Sequence, residues 1–362
     1  MSRPRVLFVA RTRYRLPLEP PLARKWDALA EELDLRVLAT ASGTPARDER
    51  FALLPDRRLG GFYARLPFEI SAEARRFRPD VIVAQSPYEA VAAIAVRGRA
   101  KVLLEVHGDW RTAARLYGSV ARRAIEPLSM RLARLAVSRA DAVRTVSPFT
   151  SGLVRGLGVE PRATFTTYYD ASAFADRPPS PLPDGPSALF VGVLERYKNI
   201  AGLAAAWRLA APRVPAASLR LVGTGRETEL VRRLVAELPD CTDWTPRLAP
   251  EEVAAALDDA SVLLLPSFSE GLPRVAMEAL ARGRPVIGAR AGGIPDIVED
   301  GVNGILVDPY EPDSIAEGLV GVLGDRDLLE RLAAGAARSA GRWRQTPEEF
   351  ARRMRELVDG ML

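Results

Sequence analysis

The sequence has 362 residues, 48% of them hydrophobic and 27% charged, which suits a globular chain too long for one ordinary core, so two domains are expected. A single cysteine, Cys241, excludes an internal disulfide, and a single histidine, His107, excludes a multi-histidine metal cluster; neither a metal nor another cofactor is expected. Residues 1–175 hold 29 Arg and Lys against 18 Asp and Glu, the remainder 22 against 28, so the basic field lies in the first half.

The apolar run at the N-terminus covers only five residues, Val6 to Ala10, before charge resumes. It reads as a first strand, not a signal peptide, and no stretch approaches a membrane span, so the expected compartment is cytoplasmic. The loop expected after it carries Arg11, Arg13, Tyr14 and Arg15 in place of a glycine-rich dinucleotide fingerprint, which disfavours a dehydrogenase. At the carboxyl end of a strand these residues are candidates for the acceptor side of a cleft, or form a solvated basic loop. Leu22 to Leu33 reads as a helix, and Leu35 to Ala39, residues 80–85 and Val102 to Val106 as strands. The last runs into Glu105-Val106-His107-Gly108-Asp109.

Arg111 to Arg139 has a helical pattern interrupted by Pro127, so two helices are expected. Its arginines form either a solvated face or a surface for peripheral association with anionic membrane. No basic stretch is interleaved with aromatics, so no nucleic-acid partner is expected. Ser147 followed by Pro148 reads as a helix cap. Five prolines between Arg177 and Pro186 mark a semi-extended linker. After it come a strand at Ala188 to Val191, the segment Gly192 to Asn199, and a strand running into the glycine turn Gly223-Thr224-Gly225. Asp325-Arg326-Asp327 precedes a helix and reads as its acidic first turn, not a metal site. Thr346 with Glu349 three later reads as a capping box.

The densest pattern lies at residues 262–300. A short apolar strand, Val262 to Leu265, ends at Pro266. A loop with Glu270 follows, then a helix of about three turns framed by Pro273 at its first position and Gly283 past its end. The expected core stripe is Ala276, Ala279 and Leu280. Glu278 stands on this helix between Arg274 and Arg282, four residues from each, and could simply join an ion-pair row. A helix N-terminus there offers unpaired amides suited to a phosphate. Asp296 reads as a further helix cap.

Glu270 and Glu278, with the preceding Pro-Ser and the following Glu-Ala-Leu-Ala-x-Gly-x-Pro-Val-Ile and Gly-Gly, closely resemble the retaining nucleotide-sugar glycosyltransferases of the GT-B fold, family four, group 1. The resemblance implies an α/β fold of two Rossmann-like domains facing across a cleft. An acceptor-binding domain would span 1–175, a proline-rich linker 176–187, a nucleotide-sugar domain 188–345, and a C-terminal helix, 346–362, would cross back to the first domain. It implies transfer of a hexose from a UDP- or GDP-sugar to a glycan, lipid-linked or small-molecule acceptor, without a metal. Glu270 would bind the donor sugar, Glu278 the ribose, and Gly271, Leu272 and the amides near Arg274 and Val275 the diphosphate. Gly192, Lys198 and Gly223 match further donor motifs, and His107 would reach the donor sugar. Position 193 is Val where the family has Arg, so Arg196 is expected to supply that phosphate contact. His107, Arg196, Lys198 and Glu270 are the expected catalytic set. The alternatives are a GT-B epimerase, an inverting transferase, or a non-catalytic protein that binds sugar nucleotides or polyanions.

Overall fold

The computed structural model of the chain describes residues 3–43, 47–56, 59–111 and 126–362. The fold divides into two compact units. Among the described residues, the first comprises those up to Arg111, residues 126–169 and Gln345–Leu362, and the second comprises Asp170–Arg344.

Among the described residues, the first unit holds a seven-stranded sheet in the order β3-β2-β1-β4-β5-β6-β7, with every pairing parallel. The strands are β1 (Arg5–Tyr14), β2 (Asp34–Ala41), β3 (Phe51–Leu54), β4 (Val81–Ala84), β5 (Lys101–Val106), β6 (Ala142–Thr145) and β7 (Ala163–Thr164). Continuous apolar runs such as Val81–Ala84, buried on both faces, are what a helix-covered parallel sheet requires. β1 is longer than its apolar run. Its register to β2 shifts between Val9 and Arg13, and Arg13 and Tyr14 then pair with Thr40 and Ala41, so the segment expected to be a loop continues as strand past an irregularity.

Helices α1 (Pro20–Glu32), α2 (Leu59–Phe77), α3 (Pro87–Val96), α4 (Glu126–Arg139) and α5 (Pro148–Arg155) cover the sheet. Pro127 is the second described residue of α4. The upstream half of the expected helix pair, with Arg115, Arg122 and Arg123, lies outside the described residues. Ser147 caps α5 through the Thr150 amide, with Pro148 at the first position.

The second unit holds a six-stranded parallel sheet in the order β10-β9-β8-β11-β12-β13. Its strands are β8 (Ser187–Val191), β9 (Ser218–Val222), β10 (Thr242–Thr245), β11 (Val262–Leu265), β12 (Val286–Ala289) and β13 (Gly304–Val307). The short α6 (Ser172–Ala175) precedes the sheet. Around it run α7 (Ile200–Ala210), α8 (Thr228–Glu237), α9 (Pro250–Asp258), α10 (Arg274–Ala281), α11 (Pro312–Gly324) and α12 (Arg326–Ser339). Trp207 anchors the core, its Nε1 donating to Thr242 Oγ1 at 2.9 Å. Asp325 caps α12 by accepting from the Leu328 amide at 2.9 Å, which accounts for the acidic pair there.

Three local expectations need correction. α10 has eight residues, about two turns, and Pro273 is its N-cap residue, not its first helical one. The chain around Asp296 forms successive turns with no helix to cap. The proline-rich stretch has no regular structure, yet it is no free spacer. Arg284, 1% exposed, donates to the Ser180 and Pro181 carbonyls, and also to those of Leu257 and Asp258, each at 2.8 Å. Arg282 adds the Phe174 and Arg177 carbonyls and a two-point ion pair with Asp258. Two buried guanidinium groups, bonded to backbone carbonyls, the Asp258 carboxylate and the Ser180 hydroxyl, thus bind residues 174–181 against α9 and α10.

The chain's last helix, α13 (Pro347–Asp359), opens with a complete Thr346/Glu349 capping box and belongs to the first unit. Phe350, Met354, Leu357 and Val358 share a core cluster with Trp26, Leu29 and Leu33 of the α1 region. Arg355 also donates to the Glu32 carbonyl at 2.8 Å. No helix among the described residues is long and apolar enough to cross a membrane.

Candidate active site

At the carboxyl edge of the second unit's sheet, β8 delivers Gly192 and a short 3-10 turn, Arg196–Lys198. Asn199 then adopts a left-handed conformation (φ 57°, ψ 45°), rare for any residue but glycine and least costly for Asn or Asp. Its side chain caps α7 through the Gly202 amide at 3.1 Å, and its amide nitrogen donates to the Pro266 and Pro309 carbonyls. That residue therefore binds the ends of three strands together and fixes the direction of Lys198 beside it. A Cβ at Gly192 would sit 3.4 Å from Lys198 Cε, so the lysine stem lies across the glycine.

Lys198, 8% exposed, reaches the loop after β11 and donates to Glu270 Oε1 at 2.6 Å. The Glu270 loop is held from the other side by the Gly-Gly pair after β12. The Gly293 amide donates to the Glu270 carbonyl at 2.8 Å, and a Cβ at Gly292 would stand 2.6 Å from the Glu270 amide nitrogen and carbonyl oxygen. Gly271 and Leu272 follow, both partly exposed, and then α10 begins without a side-chain cap. The amides of Arg274 and Val275 in its first turn have no acceptor within the helix, and among the described residues no side chain caps them, so the positive end of the helix dipole faces this loop.

Glu278, one turn into α10, forms no ion-pair row. Arg282 is turned away to Asp258, and Glu278 has no hydrogen bond or ion pair among the described residues. Burial raises its carboxyl pKa from 4.5 to about 7, against the pull of Arg274 and Lys198. Lys198, Glu270, Glu278, Arg274, Val275 and Gly192 are thus gathered at one edge of one sheet. Gly223 supports the same edge from beneath: with φ +144° it packs so closely that a Cβ would run into the Gly192 carbonyl oxygen. Arg196 is exposed and lies within electrostatic reach of Glu227. Val193, where an arginine was expected, is exposed.

The other candidates lie on the first unit. His107 follows β5 directly, and its Nε2 is 3.4 Å from Glu105 Oε2. Glu105 is buried and also accepts from Arg144, itself 0% exposed, whose guanidinium stacks 4.0 Å from the Phe165 ring centre. Burial alone would raise the Glu105 pKa, but Arg144, His107 and Lys25 hold it down to about 2, so it is a carboxylate. Arg11, Arg13 and Tyr14 lie on the second half of β1 and Arg15 just beyond it. Tyr14 is buried among Trp26 and Phe51, and desolvation raises its pKa to about 12. Arg13 is paired with Asp56 at 2.7 Å.

The family described as "Glycosyl transferases group 1" matches residues 174–339, and "Glycosyltransferase Family 4" matches residues 22–166. The chain belongs to the family-four, group 1 glycosyl transferases. Among its relatives, the D-inositol 3-phosphate glycosyltransferase of Acidothermus cellulolyticus is 37% identical over 178 residues, 46% of this chain and 40% of that protein. That of Nocardia farcinica is 34% identical over 202 residues, 52% and 45%. The chain thus spans less than half the length of these curated relatives. Two solved structures share the GT-B fold along nearly the whole chain. The sucrose-phosphate synthase of Thermosynechococcus elongatus has 20% identity and a TM-score of 0.75, covering 99% of both chains. Anabaena HepE in complex with UDP has 17% identity and a TM-score of 0.72, covering 99% of this chain and 100% of that one.

Sequence reasoning singled out neither Asn199, Glu105 nor Arg144. Asn199 directly follows the lysine that was noticed, but its left-handed turn has no signature in a single sequence. Glu105 and Arg144 each sit in an apolar strand run, and a charge in a buried strand was the available signal.

Proposed function

We propose that this glycosyl transferase moves a hexose from a UDP- or GDP-sugar to an acceptor hydroxyl with retention of anomeric configuration, the second unit binding the donor and the first the acceptor. The observation that carries the reading is the Lys198–Glu270 pair at 2.6 Å beside the uncapped start of α10. Breaking the anomeric C–O bond leaves the electron pair on the diphosphate oxygen, so the reaction needs positive potential there more than a strong base. The Lys198 ammonium, the Arg274 and Val275 amides and Arg196 supply it, with Gly192, Gly223, Gly271 and Leu272 letting the backbone approach. Glu270 holds sugar hydroxyls, Glu278 the ribose diol, and His107 a further sugar hydroxyl. The acceptor oxygen bonds the anomeric carbon on the face the phosphate leaves, and its proton passes to the departing phosphate.

The glycosyl transferase family match and the UDP-bound fold neighbour support a nucleotide-sugar donor. The basic excess of residues 1–175 supports peripheral attachment to anionic lipid, checked by salt-sensitive sedimentation with vesicles. Thermal-shift titration with UDP-, GDP- and ADP-sugars tests the donor. A stabilising shift by one class, lost in Lys198→Ala, and NMR of an α-linked product from an α-linked donor are expected. Failure of all three classes to bind would overturn the reading, as would a product of inverted configuration.

A further inference from the structure

The run Val102–Val106 of β5 is buried throughout and apolar at every position but Glu105. Its period of two puts positions 105 and 107 on one side, so the strand itself brings His107 beside Glu105. The Glu105 side chain is 4% exposed and that of His107 37%. One carboxylate oxygen, Oε1, accepts from Arg144 in β6. That guanidinium also donates to the Phe165 carbonyl at 2.9 Å and to Thr167 Oγ1 at 3.2 Å, so its place is fixed. The other oxygen, Oε2, is 3.4 Å from His107 Nε2. Hydrogen bonds of unliganded catalytic sites are often this long.

A buried ion pair adds little stability over an apolar pair of the same volume, so the strand alone gives no reason for Glu105 and Arg144. Their chemistry gives one. A guanidinium only donates, and with Lys25 it keeps Glu105 a carboxylate, which only accepts. Whatever charge the imidazole carries, Nε2 must then bear the hydrogen that faces Glu105. In the neutral ring the lone pair is left on Nδ1, which makes no hydrogen bond among the described residues.

We propose that Glu105 is a positioning residue that locks His107 as its Nε2–H tautomer, so that Nδ1 meets the ligand as a hydrogen-bond acceptor and selects a sugar hydroxyl that donates to it. The proposal rests on the reading of His107 as a contact to the donor sugar and adds the direction of that hydrogen bond. A group that can only accept, such as fluorine or an ether oxygen, is refused at this position.

His107 is the chain's only histidine, so a long-range ¹H–¹⁵N correlation spectrum of the labelled full chain, taken without ligand at alkaline pH, shows a single imidazole. Nε2 couples to both ring protons and Nδ1 mainly to one, which assigns the nitrogen that bears the hydrogen. The Nε2–H form is expected to exceed the Nδ1–H form about tenfold or more. Glu105→Gln keeps the shape but must turn its carbonyl oxygen to Arg144, which leaves its amide NH₂ facing His107. The ring should then invert to mainly Nδ1–H, the fault known from replacing the carboxylate behind a catalytic histidine by its amide. A parent spectrum with mainly Nδ1–H or a comparable mixture would overturn the proposal, as would a folded Glu105→Gln protein that keeps Nε2–H. Should that variant fail to fold, the parent spectrum decides alone.

Calorimetry with UDP, UDP-glucose and UDP-glucose analogues in which one hydroxyl is replaced by fluorine reads the consequence for recognition. One analogue should bind the parent about tenfold more weakly than UDP-glucose and lose most of that penalty in Glu105→Gln, while the other analogues keep theirs and UDP binds both proteins alike. Penalties that are the same in parent and variant for every analogue would remove Glu105 from recognition. Absent binding of UDP and UDP-glucose counts against the donor reading alone, because the tautomer is read without ligand.

Discussion

Lys198 and Glu270, 72 residues apart in sequence, meet at 2.6 Å with both side chains nearly buried. Each is therefore held at the sheet edge by the other's charge. Lys198→Ala removes the ammonium and leaves a desolvated carboxylate unpaired, so UDP-glucose affinity should fall about a hundredfold. Lys198→Arg should not restore it, because a planar guanidinium cannot follow the path across Gly192 that the lysine stem takes. Calorimetric titration measures both, and an unchanged affinity in Lys198→Ala would remove this pair from the site.

Glu278 links stability to pH. Its carboxyl pKa rises from 4.5 to about 7 on folding, so between these values the folded chain holds a proton the unfolded chain has released. Its contribution is complete below 4.5 and is lost as pH rises through about 7. The loss is at most about 3 kcal/mol. Glu278→Gln mimics the protonated acid, so it should be more stable than the parent in urea above neutral pH and equal to it in acid. Its UDP-glucose affinity should fall short of the parent's only at high pH.

In the first unit, Glu105 has the opposite sign. Its pKa is held at about 2, so its contribution is present above 4.5 and is lost as pH falls through about 2. Arg144→Leu strips away the principal partner and should cost about 3–5 kcal/mol, with acid unfolding moved to higher pH. Arg144→Lys should recover only part, lacking the flat face stacked on Phe165. Urea unfolding across the acid range measures both.

Two glycines make a paired prediction. Gly223→Ala drives a methyl into the Gly192 carbonyl, so it should cost at least about 2 kcal/mol and weaken donor binding with it. Gly321 in α11 is exposed with nothing within 4 Å of a Cβ, and Gly321→Ala should stabilise by about 0.5–1 kcal/mol. Thermal melts and UDP titration of both variants check the contrast.

Strands that are apolar on both faces, such as β4 and β11, were legible because helix-covered parallel sheets demand such runs. Caps were legible for the same local reason: Ser147, Asp325 and Thr346 each sit where their side chain meets a nearby amide. Lengths were harder. β1 extends past its apolar run because β2 offers partners to Arg13 and Tyr14, and α10 is shorter than its pattern because Pro273 caps it instead of joining it. The expectation that Lys198 and Glu270 share one site came from a family pattern, but the lack of a partner for Glu278 among the described residues depends on where distant chains pass. No spacing rule reveals that Arg282 turns to Asp258 and so leaves Glu278 alone.

Arg284 spends its hydrogen bonds on four carbonyls, two of them in the proline-rich stretch. A fragment trimmed to begin at the first strand of the second sheet, Ser187, would strand a cation inside the protein with half its acceptors gone. One starting at Asp170 would keep them. The prolines therefore behave as a brace of the unit they lead into, and a protease offered the native chain should leave residues 177–181 uncut.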